Sequence, residues 1–113
     1  MSLEALLNQL ERDSQLGRRI THWRHLPPRA PRYAYYPSGI DRRLAEAFRQ
    51  RGIERPYTHQ AAAVEAALRG KNVVVVTPTA SGKTLCYNIP VLNTMLADPM
   101  ARALYLFPTK ALA

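Results

Sequence analysis

The sequence predicts an α/β fold in which a parallel sheet carries flanking helices, preceded by an N-terminal helix and a proline-rich extended arm. Three observations predict it. Four consecutive valines, Val73 to Val76, have the pattern of a strand buried on both faces. A short loop ending in glycine and lysine follows at once and leads into a helical stretch. A second apolar run, 103–107, then completes the order strand, helix, strand, which reads as a right-handed βαβ unit.

The elements follow in chain order. Leu3, Leu6, Leu7 and Leu10 recur at helical spacing behind Ser2, a plausible N-cap, with Gly17 as the expected stop. This leucine stripe reads as a packing face. Residues 21–37 contain four prolines, which remove amide donors and fix the local dihedral, so the segment is expected to be an extended arm. Its aromatics, Trp23, Tyr33, Tyr35 and Tyr36, are interleaved with arginines; they read as pins to the domain surface ahead of base-stacking platforms. Ser38 and Asp41 predict a capping box that opens a helix to about Gln50, broken by Gly52. Thr58 is the expected cap of a second, alanine-rich helix that Gly70 ends. The helix after the valine strand should run from Lys83 toward Leu96, with Pro90 bending or shortening it. The expected organisation is an N-terminal helix and arm over 1–37, then a nucleotide-binding lobe over 38–113.

Composition narrows the function classes. Sixteen Lys and Arg against eight Asp and Glu give a net charge of +8, a field that attracts polyanions such as nucleic acid or nucleotides. A single cysteine, Cys86, excludes an internal disulfide and a multi-cysteine metal site, and reads as a small buried hydrophobe. No apolar run approaches the ~20 residues of a membrane span, so no membrane partner is expected. A cytoplasmic location is, associated with the nucleoid in a bacterium.

The chemistry is concentrated in Thr77-Pro78-Thr79-Ala80-Ser81-Gly82-Lys83-Thr84, between the valine strand and a helix. That placement reads as a phosphate-binding loop, because loop amides and the helix N-terminus can converge on an anion. Gly82 permits close backbone approach, Lys83 supplies a point charge to the β and γ phosphates, and the Thr84 hydroxyl can ligand Mg²⁺. Thr79, Ala80 and Ser81 supply the rest of the cradle, and Thr77 stands where the usual pattern has glycine. Upstream, Tyr57-Thr58-His59-Gln60 places a glutamine amide at a helix start, suited to the N6 and N7 edge of adenine. Downstream, Pro108-Thr109-Lys110 leaves the end of the second strand, where ligands sit in open α/β sheets; Thr109 and Lys110 suit a phosphodiester backbone.

With these segments in order, the chain resembles superfamily 2 helicases of the DEAD/DEAH type. Gln60 is similar to the adenine-reading Q motif, 77–84 to motif I, in which the first glycine is commonly replaced, and 108–113 to motif Ia. TPTASGKTLCYNIPVL followed by ARALYLFPTKALA, behind YTHQ and the LPPRAPRYA arm, resembles the mitomycin repair factor A group over residues 20–113. The resemblance implies a RecA-like lobe, ATP and Mg²⁺ as cofactors, and 3′ to 5′ translocation on single-stranded or forked DNA in repair. It implies Lys83 and Thr84 as catalytic residues and Tyr57, Gln60 and 79–84 as the nucleotide site. The D-E-x-H motif and the second lobe of that family lie beyond this sequence, so the remainder of its own chain is the expected partner. In isolation the segment is expected to be poorly soluble and inactive. A non-catalytic nucleotide- or DNA-binding module is the alternative; a small kinase is disfavoured by the order of the three motifs.

Overall fold

The computed structural model describes residues 2–107. It divides into two compact units, Met1–Ala30 and Pro31–Ala113.

In the first unit, helix α1 spans Leu3–Arg12. Ser2 caps it as expected, its Oγ accepting the Ala5 amide at 3.2 Å. The helix stops at Arg12, ahead of the expected Gly17, because Asp13 takes an extended conformation and its Oδ1 accepts the amides of Gln15 and Leu16. Gly17 instead opens a 3₁₀ turn over Gly17–Arg19. No residue of α1 is buried.

The second unit is built on three helices. Helix α2, Arg42–Gln50, is capped by Asp41 and not by Ser38, which lies in the preceding turn. Asp41 Oδ1 accepts the Arg43 amide at 2.8 Å, and Asp41's own amide is held by Asn93 Oδ1 at 2.7 Å. Helix α3, Thr58–Leu68, starts after Tyr57, so Thr58 is its first helical residue and not its cap. Gly52 and Gly70 end α2 and α3 in the left-handed region, as their positions predict. Helix α4, Lys83–Ala97, runs through Pro90 without being shortened. Ile40, Leu44, Phe48, Val64 and Ile89 form the core where these helices meet.

The arm belongs to this unit from Pro31 onward, where Tyr33 and Tyr36 pin it; Trp23 lies in the first unit and is exposed, and Tyr35 is largely exposed. Tyr33 forms an isolated antiparallel bridge with Tyr57, flanked by Ala34 N to Pro56 O at 2.9 Å and Thr58 N to Arg32 O at 3.0 Å. Tyr36 donates its hydroxyl to Ile53 O at 2.9 Å and stacks on Phe48, while Arg55 sits over the Tyr35 ring.

The two expected strands are the main departure. Among the described residues, 72–77 and 103–107 pair with nothing, and no sheet is formed. The physical reason is that a strand is defined by a neighbour's amides and carbonyls, and neither run supplies the other's. Their side chains nonetheless alternate: Val74 and Val76 are each 89% exposed and Leu104 and Leu106 each 84%, whereas Val75 is half-buried. One side of the valine run is partly covered and the other is bare.

Candidate phosphate-binding site

The site is assembled where the N-terminal turn of α3 meets the loop that opens α4. Residues 78–82 turn sharply through two left-handed positions, Ala80 at φ 61° and Gly82 at φ 73°. Gly82 has a positional requirement beyond its dihedral: a Cβ there would lie 2.5 Å from Gln60 Nε2.

Two adjacent side chains of α3 hold two adjacent carbonyls of the loop. His59 Nε2 bonds Ser81 O at 2.9 Å, and Gln60 Nε2 donates to Gly82 O at 2.8 Å. A carbonyl only accepts, so the His59 Nε2 carries a proton. Gln60 Oε1 in turn accepts the Tyr57 amide at 2.8 Å, which satisfies a free donor at the start of α3. Gln60 is 2% exposed and is the buried polar residue of the unit. Each amide atom keeps one unused donor or acceptor position.

The loop is closed on itself by its own side chains. Thr77 Oγ1 and Ser81 Oγ share a hydrogen bond of 2.5 Å across its neck. Lys83 Nζ folds back to donate to Thr77 O and Pro78 O, both at 2.9 Å. The hydroxyl at position 77 therefore has a structural use that glycine lacks. The amides of Gly82, Lys83 and Thr84 have no partner among the described residues, so three donors gather at the mouth of α4. Burial pushes the Cys86 thiol above its ordinary range, against a smaller opposing pull from Lys83, which keeps it in the neutral form.

Two cavities flank the loop. One, of 640 Å³, is lined by Tyr33, Glu54, Tyr57, Gln60, Ala80 and Gly82. The other, of 960 Å³, takes in Lys83 and Thr84 with Val73, Val75, Tyr87 and Phe107. The sequence-selected residues Tyr57, Gln60 and 79–84 are thus brought together around one loop, but on two sides of it. Pro108, Thr109 and Lys110 lie outside the described residues. Two neighbours were missed by motif reading: His59, and Tyr33, whose ring stacks on Tyr57 at 5.2 Å while Tyr57 stacks on His59 at 5.8 Å. The Tyr57-x-His59 spacing at a helix entry was the available signal for His59; the pairing of Tyr33 across the arm had none.

Comparison with known proteins identifies relatives of the chain. The sequence profile of the DEAD/DEAH box helicase family matches residues 57–113. The ATP-dependent helicase YprA of Bacillus subtilis is 47% identical over 107 residues, covering 95% of this chain and 14% of its own length. The ATP-dependent helicase hrq1 of Schizosaccharomyces pombe is 36% identical over 99% of this chain and 11% of its own. The crystal structure of DUF1998 helicase MrfA bound to DNA and AMPPNP superposes with a TM-score of 0.79 at 45% identity, over 99% of this chain and 15% of that one. The chain therefore spans about a seventh or less of the length of these relatives. With half of its residues matched by the family profile, this chain belongs to the DEAD/DEAH box helicase family.

Proposed function

We propose that this chain carries the nucleotide-binding start of an ATP-dependent DNA helicase, coupling ATP hydrolysis to strand separation in DNA repair. The observation that carries the proposal is the cluster of three unpartnered amides at the mouth of α4, framed by the Lys83 ammonium and by a loop in the left-handed conformation. Free amides at a helix N-terminus beside an ammonium group suit an anion such as a polyphosphate.

Lys83 is assigned to the β and γ phosphates, after its side chain leaves the carbonyls of Thr77 and Pro78. Thr84 is assigned to Mg²⁺ through its hydroxyl, and Thr79, Ala80, Ser81 and Gly82 to the phosphate cradle. Gln60 is assigned to adenine through the donor and acceptor positions its two bonds leave open, with Tyr57 lining the same cavity. ATP, when bound, would supply the phosphoanhydride, and Mg²⁺ held by Thr84 would supply positive charge that stabilises the transferred group as the bond breaks. Pro108, Thr109 and Lys110 are assigned to the backbone of single-stranded or forked DNA, consistent with the DNA bound by MrfA. The runs 72–77 and 103–107 are assigned to a parallel RecA-like sheet completed by further strands of the same protein, in a lobe beginning near residue 38. No helix among the described residues is long and apolar enough to cross a membrane; a cytoplasmic, nucleoid-associated location suits the proposed substrate.

The test is phosphate release from ATP by the intact protein with and without single-stranded DNA. Turnover stimulated by DNA supports the proposal. Salt-sensitive DNA binding with no turnover above background identifies a non-catalytic binding module instead.

A further inference from the structure

We infer that His59 is a positioning residue for phosphate binding: by holding the Ser81 carbonyl it aims the Gly82 amide into the anion site. The inference rests on the phosphate-site reading given above and extends it to a residue outside the nucleotide-contacting set.

The argument is one of peptide geometry. In a trans peptide the C=O and the N–H of the same unit point in opposite directions. His59 Nε2–H draws the Ser81 carbonyl toward α3 at 2.9 Å, so the Gly82 N–H of that unit is turned to the far side of the loop. Gln60 does the same for the next unit, holding Gly82 O at 2.8 Å and turning away the Lys83 N–H. Two successive amides are thereby aligned before any anion arrives, and the rotational cost of aligning them is already met in the fold. The His59 ring is itself fixed by stacking on Tyr57, which stacks on Tyr33 of the arm. The arm thus supports the loop through a three-ring stack.

The test uses calorimetric binding of inorganic pyrophosphate, ADP and adenosine to the intact protein. His59→Phe keeps a ring to stack on Tyr57 and loses the donor; His59→Gln loses the ring and keeps an N–H donor. The expected pattern is that His59→Phe weakens pyrophosphate and ADP about tenfold and leaves adenosine unchanged, while His59→Gln binds all three within about twofold of wild type. Any other pattern overturns the role: wild-type pyrophosphate affinity in His59→Phe shows that the bond does not position the amide, the same result with loss in His59→Gln shows that the ring, not the bond, matters, and loss in both shows that an N–H donor at this position is not enough. Lys83→Ala separates this failure from failure of the site itself. If Lys83→Ala binds pyrophosphate as wild type does, the phosphate-site reading falls. If it loses binding while His59→Phe keeps it, only the role of His59 falls.

Discussion

Gln60 donates its Nε2 to the Gly82 carbonyl at 2.8 Å, and that bond ties the first turn of α3 to the N-cap of α4. Because the same amide accepts the Tyr57 backbone N–H, Gln60 also finishes the N-terminus of its own helix. The residue expected to read a base is therefore also a joint between two helices, and changes at either end of the bond should be felt at the other.

Gly82→Ala tests that joint. The new Cβ would meet Gln60 Nε2 at 2.5 Å and would occupy a left-handed position at φ 73°. Left-handed strain costs about 1–2 kcal/mol and loss of the hydrogen bond about 1 kcal/mol more. The expected result is a stability loss of about 2–3 kcal/mol in urea unfolding, accompanied by weaker ADP binding.

Ala80→Gly should act in the opposite direction. Ala80 is a non-glycine residue held at φ 61°, where glycine carries no Cβ penalty. Relief of that strain, less the extra freedom glycine gains in the unfolded chain, is expected to stabilise the protein by about 0.5–1 kcal/mol. Urea unfolding of the variant against wild type measures it.

The cap of α2 gives a prediction in pH. Hydrogen bonds from the Arg43 guanidinium, then from the Arg43 amide, hold the Asp41 carboxyl down to about 2. A carboxyl with a depressed folded-state value contributes stability above its unfolded value near 4, and loses it as pH falls toward 2. Thermal midpoints should therefore drop between about pH 4 and pH 2, and Asp41→Asn, which cannot titrate, should flatten that part of the profile.

The helices were legible because their signals are local. Ser2, Gly52 and Gly70 act within a few residues of where they sit. The caps moved by a few residues, from Ser38 to Asp41 and from Thr58 to Tyr57, because a side-chain or backbone partner one turn away decided the start. The sheet did not appear among the described residues, since pairing depends on partners that four valines cannot specify. The loop that opens α4 was singled out in the sequence by Gly82, Lys83 and Thr84; its anchoring by His59 was not legible, because that bond joins residues 22 apart in the chain. Thr77 looked like a departure from pattern, and in the structure its hydroxyl closes the loop on Ser81.

The central claim, that the mouth of α4 is a nucleotide phosphate site worked by Lys83, is tested most directly by Lys83→Ala in the intact protein. The measurement is DNA-stimulated ATP hydrolysis, with ADP affinity measured on the same preparation. The account predicts turnover lower by about two orders of magnitude or more, as expected when a charge facing the transferred phosphoryl group is removed. Wild-type turnover in that variant would contradict it.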